Sequence, residues 1–433
     1  MNNCLVTTLK AAVNDNSLLR MGEMRIKISS IESPNRDTQS ITLGFDKRVD
    51  LEIIGEGYFT DATLSANNGK KMTASTGQNA IYFSNGNYEI AILDKYSLNY
   101  LQTSSRNDKF YPNKAIDLKN LKYLEHLTTV ISGANNLSGD ISALSGLTNL
   151  TSLSIVNSNL LGDISALSGL TSLTTLNIGA DNLSGDISVL SSMTSLTYLN
   201  LAVNNLSGDI SVLSSMTSLK TLSMNNNKLS GDISVLSGLT SLKVVNISNN
   251  NLTGDISALN NLTLLTSLNV ANNPNISGDI SSLSSLTLLE SLRFGKEKIA
   301  DSTKLRCSDI SAFKSMTRLK ESLIKGINIQ GDLSLLPASL IFLSTQYSSS
   351  HCSWDNSRPS SSNIFAIEGG SLTVDNIDGM LNDFSNCVVP SSKPSFPYYS
   401  IIDVLGSRTS ASDAAVSSLK SKGYTIKVNG VVI

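Results

Sequence analysis

Leucine and its aliphatic relatives recur through the middle of the chain on a fixed template, L-x-x-L-x-x-L-x-[I/L/V/M]-x-x-N-x-L-x-G-D-I. One copy runs Met193, Leu196, Leu199, Leu201, Asn204, Leu206, Gly208, Asp209, Ile210. The closing aspartate marks the period. Asp140, Asp163, Asp186, Asp209, Asp232 and Asp255 follow one another at 23 residues, then Asp279 at 24, Asp309 at 30 and Asp332 at 23. Such a period predicts a solenoid, in which each unit buries its apolar face only against its neighbours. Within each copy the L-x-L step (Leu199 and Leu201, Leu222 and Met224, Val245 and Ile247, Leu268 and Val270) alternates with period two and predicts a short strand. Successive strands must pair in parallel about 4.8 Å apart, so about ten coils give a stack roughly 45–50 Å long with a curved sheet on its inner face.

Two polar columns follow from the same template. Asn135, Asn204, Asn227, Asn250 and Asn273 predict a row of amides that donate and accept where the chain turns out of the strand, with Ser158 and Asp181 taking that place in two coils. The Gly-Asp pairs predict a second row, each Asp accepting backbone N–H bonds at its own turn. The other use of those carboxylates is a calcium ladder over Asp186, Asp209, Asp232 and Asp255. One carboxylate per coil leaves it short of oxygen ligands.

The flanks carry different patterns. Residues 1–112 show strand-like runs (Met24–Ile28, Ile41–Phe45, Val49–Ile54, Ala80–Phe83, Tyr88–Leu93) between the turn clusters Asn67–Lys70 and Ser84–Asn87, both containing Asn-Gly. They predict a small β domain, an anchoring module, whose opening segment through Asn16 reads as an arm toward a partner. Asn107–Asn113 reads as a linker. The solenoid spans 113–347, with Asp117, Leu121, Leu124 and Leu127 as a degenerate first coil and Leu335–Leu343 as an altered last one. An insertion within Arg293–Arg306 gathers Arg293, Lys296, Lys298, Lys304 and Arg306 and reads as a solvated loop. Residues 348–433 open with a polar loop, Ser348–Asn363. They close with a strand at Ile401–Leu405, a helix capped by Ser412 and stopped at Gly423, and a hairpin of Tyr424–Val428 with Val431–Ile433 around Asn429-Gly430. The fold class is a β-rich solenoid with a small N-terminal β domain and a C-terminal strand–helix–strand α/β cap over an otherwise open sheet edge.

The template resembles the leucine-rich repeat family over roughly residues 115–345. Its Asn-x-Leu-Ser-Gly-x-Ile tail is similar to the variant of plant receptor repeats, with Ser in place of the usual Pro after Ile. The resemblance implies a parallel sheet on a concave face.

Composition narrows the function. Charged residues make up 16% of the chain and the net charge is −2, which gives no drive toward nucleic acid or anionic membrane. No apolar run approaches the roughly 20 residues of a spanning helix, and the N-terminus shows no secretion signal. The four cysteines (Cys4, Cys307, Cys352, Cys387) lack metal spacing and read as free thiols, with a Cys352–Cys387 bridge as the alternative in an oxidising compartment. The two histidines, His126 and His351, stand in no catalytic motif, and no phosphate or dinucleotide fingerprint is present. The expectation is a non-enzymatic protein without cofactor; an enzyme hidden in residues 1–112 would need a carboxylate pair in a cleft.

Binding falls to the inner face, the usual contact surface of solenoids. The candidate residues are Tyr198, Asn200, Thr221, Asn225, Asn246, Asn269 and Arg293, on a neutral sheet poor in aromatics. A hydrated face without ligand is the plainer reading. The segments Met1–Lys10 and Arg408–Ile426 resemble parts of virion and surface-type proteins of gut bacteria and their tailed phages. That resemblance implies a fibre-like component attached to a phage tail or capsid. Its N-terminal domain would hold other virion proteins, and its solenoid would meet a host receptor or glycan. A bacterial cell-surface adhesin or receptor is the alternative.

Overall fold

The protein is described from a computed structural model. It covers backbone strands between residues 24 and 105, and residues 116–433 except 119–120, 123, 133–136, 157, 159, 296–303, 345–349, 356–358, 361, 364–365, 369–371 and 390–400. The arm through Asn16, Cys4, the cluster Asn67–Lys70, the linker Asn107–Asn113, Asn135, Lys296 and Lys298 lie outside these residues. The chain forms two compact units, residues 1–208 and 209–433.

The repeat explains the coil it makes. After each column Asp comes a 3-10 turn, as at Ile233–Gly238, with Asp232 as its N-cap. A 3-10 turn has three residues per turn, so apolar residues three apart fall on one side. Leu236, Leu239 and Leu242 keep that spacing and are fully buried; Leu239 N–H bonds the Leu236 carbonyl at 2.9 Å and Leu242 N–H the Leu239 carbonyl at 3.0 Å. The L-x-L step then crosses the core as a short strand.

The first unit starts with an antiparallel module. Strands β1 (Met24–Ile31), β2 (Gln39–Phe45) and β3 (Val49–Asp61) all pair with the long β5 (Gly77–Ile92). β4 (Lys71–Ala74) adds to β3 and β6 (Leu98–Ser105) to β2. The cluster Ser84–Asn87 is not a hairpin turn, as its Asn-Gly suggested. It lies inside β5, where the register shifts opposite Gly57–Phe59 and Ile28–Ile31. Partners on both sides absorb the irregularity as a bulge, so the strand continues.

β6 also pairs in parallel with β7 (Thr129–Ser132), placing Leu101 opposite Val130. The module thereby supplies the first strand of the inner ladder. β8 (Ser152–Ile155), β9 (Thr175–Asn177) and β10 (Tyr198–Asn200) follow in parallel and in register, Ser152 beside Thr175 beside Tyr198. The degenerate first coil is present: Leu118, Leu121, Leu124 and Leu127 are at most 2% exposed, and Ile116 pairs with Leu137.

The second unit repeats the arrangement with β11 (Thr221–Ser223), β12 (Val244–Asn246), β13 (Ser267–Asn269), β14 (Ser291–Gly295), β15 (Glu321–Lys325) and β16 (Phe342–Ser344), all parallel. The ladder does not stop at residue 347. It runs on through β17 (Ala366–Glu368), β18 (Ile401–Val404) and β19 (Thr425–Val428), and ends on the antiparallel β20 (Val431–Val432). The hairpin closes at Asn429-Gly430, both with positive φ, as a two-residue primed turn requires. The predicted loop cations are partly tied down: Lys304–Arg306 is a strand beside Ser277–Asp279, with Arg306 paired to Asp279 at 3.2 Å.

Two helices flank this end. α1 (Ile377–Asn386), not foreseen from the sequence, docks through Phe384, whose ring meets Trp354 edge-on at 5.2 Å, while Trp354 Nε1 donates to Asp383. α2 (Asp413–Ser421) carries no side-chain cap from Ser412; that hydroxyl donates instead to Asp378 of α1 at 2.5 Å. This charge-assisted bond directs the hydroxyl toward α1 instead of the first N–H groups of α2.

Both polar columns take the form predicted for them. Asn250 Nδ2 donates to the carbonyls of Met224, Ile247 and Ser248, and its Oδ1 accepts from Leu229 N–H at 3.0 Å. Asn273 and Asn204 repeat the pattern in their own coils. Each column aspartate accepts from the N–H two residues on, as Asp232 does from Ser234 at 2.8 Å. From Asp140 to Asp255, and at Asp309, the aspartate also seats against the glycine of the next coil: a Cβ on Gly254, at φ +111, would lie 2.4 Å from Asp232 Oδ1.

Candidate functional site

Along the inner ladder every second side chain leaves the core, and these outward positions hold all seven candidates. Each is half-buried. In the first unit the amides are committed to one another. Asn200 Nδ2 donates to Asn177 Oδ1 at 2.8 Å, Asn177 Nδ2 donates to Ser154 Oγ at 3.1 Å, and Asn200 Oδ1 accepts from Ala202 N–H. Tyr198 stands beside Thr175 at the edge of this chain.

The second unit leaves more of its amides open. Asn225 Oδ1 accepts from Ser223 Oγ at 3.2 Å, and Asn246 Oδ1 from Ser248 Oγ at 2.9 Å. Asn269 Oδ1 accepts from Ala271 N–H at 3.1 Å. A backbone N–H can only donate, so it fixes the amide oxygen of Asn269 on its side and leaves the NH2 group pointing elsewhere. No acceptor among the described residues holds the NH2 of Asn225, Asn246 or Asn269. Thr221, opposite Val244, sits at the other end of this row.

The structure brings Asn269 and Arg293 into one cleft and adds residues the repeat template did not single out. In register, Asn269 lies beside Arg293 and Arg293 beside Leu323. The cleft, about 480 Å³ with its open mouth included, is lined further by Asn249, Asn272, Gly295 and Lys325. Gly295 is obligatory in this lining: at φ +83 a Cβ there would lie 1.6 Å from the Lys325 carbonyl, so the two backbones approach more closely than any side chain allows. Arg293 donates to Glu321 at 3.2 Å. The guanidinium has five N–H donors, so most of its capacity is uncommitted. Lys325 has no acidic partner among the described residues. Among the described residues two cations stand against one carboxylate, a net positive charge.

Lys325 escaped the sequence reading because the insertion between β14 and β15 displaces it from the 23-residue count. The E-S-L-I-K alternation at Glu321–Lys325 was the available signal. Asn225 and Asn246 lie on the same face outside the cleft lining.

Ionisable groups elsewhere have structural work. Burial pushes the Cys352 thiol up to about 12, helped by the charge of Asp332, and carries Cys307 higher still. Such thiols are protonated and unreactive at neutral pH. Cys307, Cys352 and Cys387 are buried and outside any disulfide, so Cys352 and Cys387 form no bridge. Burial pulls Asp279 upward, but hydrogen bonds from Ser281 and Ser308 hold it well below the usual carboxylate range. Asp186, Asp209, Asp232 and Asp255 each cap their own turn, and among the described residues no three His, Cys, Asp or Glu side chains converge as a metal site would require.

A family model described as Leucine Rich repeats (2 copies) matches residues 194–238 and 217–261. The coils of residues 194–261 match leucine-rich repeats. Among solved structures with this repeat fold, an internalin (inlF) from Listeria monocytogenes is 26% identical, with a TM-score of 0.52 over 72% of this chain and 84% of its own. The leucine-rich repeat ectodomain of the plant membrane receptor kinase GASSHO1/SCHENGEN3 from Arabidopsis thaliana, in complex with CASPARIAN STRIP INTEGRITY FACTOR 2, is 18% identical with a TM-score of 0.51. A TDR receptor is 21% identical with a TM-score of 0.50. The chain covers 72% and 63% of itself in these two alignments and only 43% and 53% of the receptors, which share its fold alone. No curated protein matches the chain in sequence. Among the described residues no helix is long and apolar enough to cross a membrane.

Proposed function

We propose that this is a non-enzymatic binding protein whose leucine-rich repeat face engages another protein. The observation that carries the reading is the inner ladder of the second unit, where amide donors and a positive cleft stand uncommitted on a rigid sheet. Preorganised polar groups on a fixed scaffold cost little entropy to use in binding. Most of the perturbed ionisable groups belong to caps, ion pairs and buried thiols, and burial shifts Tyr424 and Asp403. The plant receptor ectodomain that shares the fold is itself seen with a bound factor.

The antiparallel module, residues 24–105, is suited to anchoring, since it gives the repeat ladder a covered first edge. For location we propose a phage virion, tail- or capsid-attached, on the resemblance carried by the two terminal segments. The likeness to an internalin of a bacterium favours a bacterial cell-surface receptor as the second reading. Mass spectrometry of purified particles against cell-envelope fractions separates them.

The binding reading is tested by selecting random peptides from a display library on the full-length chain. Peptides bound through the inner face lose affinity for Asn246→Trp and keep it for Ser214→Arg, which lies on a 3-10 turn. Equal binding to both variants and the parent sinks the reading.

A further inference from the structure

We propose that the Arg293–Lys325 cleft takes an acidic side chain, Asp or Glu, from an extended segment of a partner protein lying on the inner face of the second unit. The inference deepens the binding reading and rests on it.

Hydrogen-bond complementarity is the first argument. The amide oxygens of Asn225, Asn246 and Asn269 each already accept a hydrogen bond within the protein. Their NH2 groups, the rest of the Arg293 fork and the Lys325 ammonium can only donate. Such a face is rich in donors and poor in acceptors, and an acceptor-rich, anionic ligand satisfies it. A basic or donor-rich ligand would bury unmatched groups at about 1–3 kcal/mol each.

Charge position is the second. Arg293 and Lys325 lie on adjacent strands, two residues apart in register, because Gly295 stands opposite Lys325. That diagonal is roughly 7–8 Å between Cα atoms, within reach of one carboxylate from both side chains. Glu321 neutralises part of the Arg293 charge and holds the guanidinium in place. Lys325 supplies the charge left over. The cleft gives the carboxylate depth, so it is partly shielded from water and the attraction is less screened than on an open surface.

The apolar surroundings point to a peptide rather than an anionic sugar. Leu323 is half-exposed between Arg293 and Lys325 in the register and offers an aliphatic contact. The one aromatic residue lining the cleft, Phe294, is 2% exposed, so no ring face is presented for a sugar to stack on.

The test extends the peptide selection to Lys325→Glu and Lys325→Gln, with thermal unfolding as the folding control. Peptides that depend on the inner face should be enriched in Asp or Glu on the parent chain. Their binding should weaken about tenfold in Lys325→Glu, less in Lys325→Gln, and also with added salt. Selection on Lys325→Glu should favour Lys or Arg instead. Inner-face peptides without acidic enrichment, or ones indifferent to Lys325, overturn this inference while leaving the binding reading intact. Absence of any inner-face peptide overturns both. Binding of dextran sulfate through Lys325, with no acidic peptide selected, overturns the peptide assignment.

Discussion

A single side chain, Asn250, closes four hydrogen bonds between three stretches of chain while only 5% exposed. Its role was readable in the sequence because only an amide both donates and accepts at that size. Asn250→Ala should therefore cost about 2–4 kcal/mol, since it strands buried carbonyls and an N–H. Ser322 is the opposite case. It is 1% exposed at a core position flanked in register by Leu292 and Leu343, and its hydroxyl has no partner among the described residues. Ser322→Ala should raise stability by about 1 kcal/mol. Urea unfolding measures both, and a neutral Asn250→Ala would refute the amide-column account. The sequence did not reveal Ser322, because its place in the ladder depends on the length of the insertion before it.

At the scale of elements, the coil was legible wherever two signals agreed, the leucine spacing of three and the Gly-Asp pair. Where the leucine spacing itself was lost, toward the C-terminal end, the reading stopped short. Ala366 follows its ladder partner Phe342 by 24 residues and Thr425 follows Ile401 by 24, so the period persists into the last third without its leucines. Between them the chain inserts α1, which masks the count. Asn-Gly at Asn85-Gly86 misled in the other direction: a local turn preference yielded to strands pairing on both sides. The coil's own logic predicts the behaviour of its glycines. Gly254→Ala forces φ +111 on an L-residue and drives its Cβ into Asp232, for an expected loss of about 2–3 kcal/mol. Gly238→Ala, with nothing within 4 Å of the new Cβ, should cost nothing measurable. Part of the Gly254→Ala loss should vanish in an Asp232→Ala background, where the clash is relieved; strict additivity in the double-mutant cycle would contradict the interlock.

For the molecule as a whole, the carboxylate columns set the response to acid. Hydrogen bonds from Ser142, Ser165 and Ser257 hold Asp140, Asp163 and Asp255 below the ordinary aspartate value of 3.8. Asp279 is lowered too, and Lys320 does the same for Glu290. A carboxyl that titrates lower folded than unfolded contributes in full above its unfolded value and loses that contribution as pH falls through the folded one. Asp403 opposes them, since burial raises its value against the pull of Lys427. Thermal unfolding should stay level from about pH 8 to 5 and fall below about pH 4. A melting temperature unchanged at pH 3 would count against the capping role of the column. The interlock of aspartate and glycine also bears on descent. Since each contact joins one coil to the next, a slip of a few residues breaks two of them, whereas copying or dropping a whole 23-residue unit breaks none. Similar neighbouring repeats invite such unequal exchange, so lineages carrying this molecule should differ in length by whole-repeat quanta.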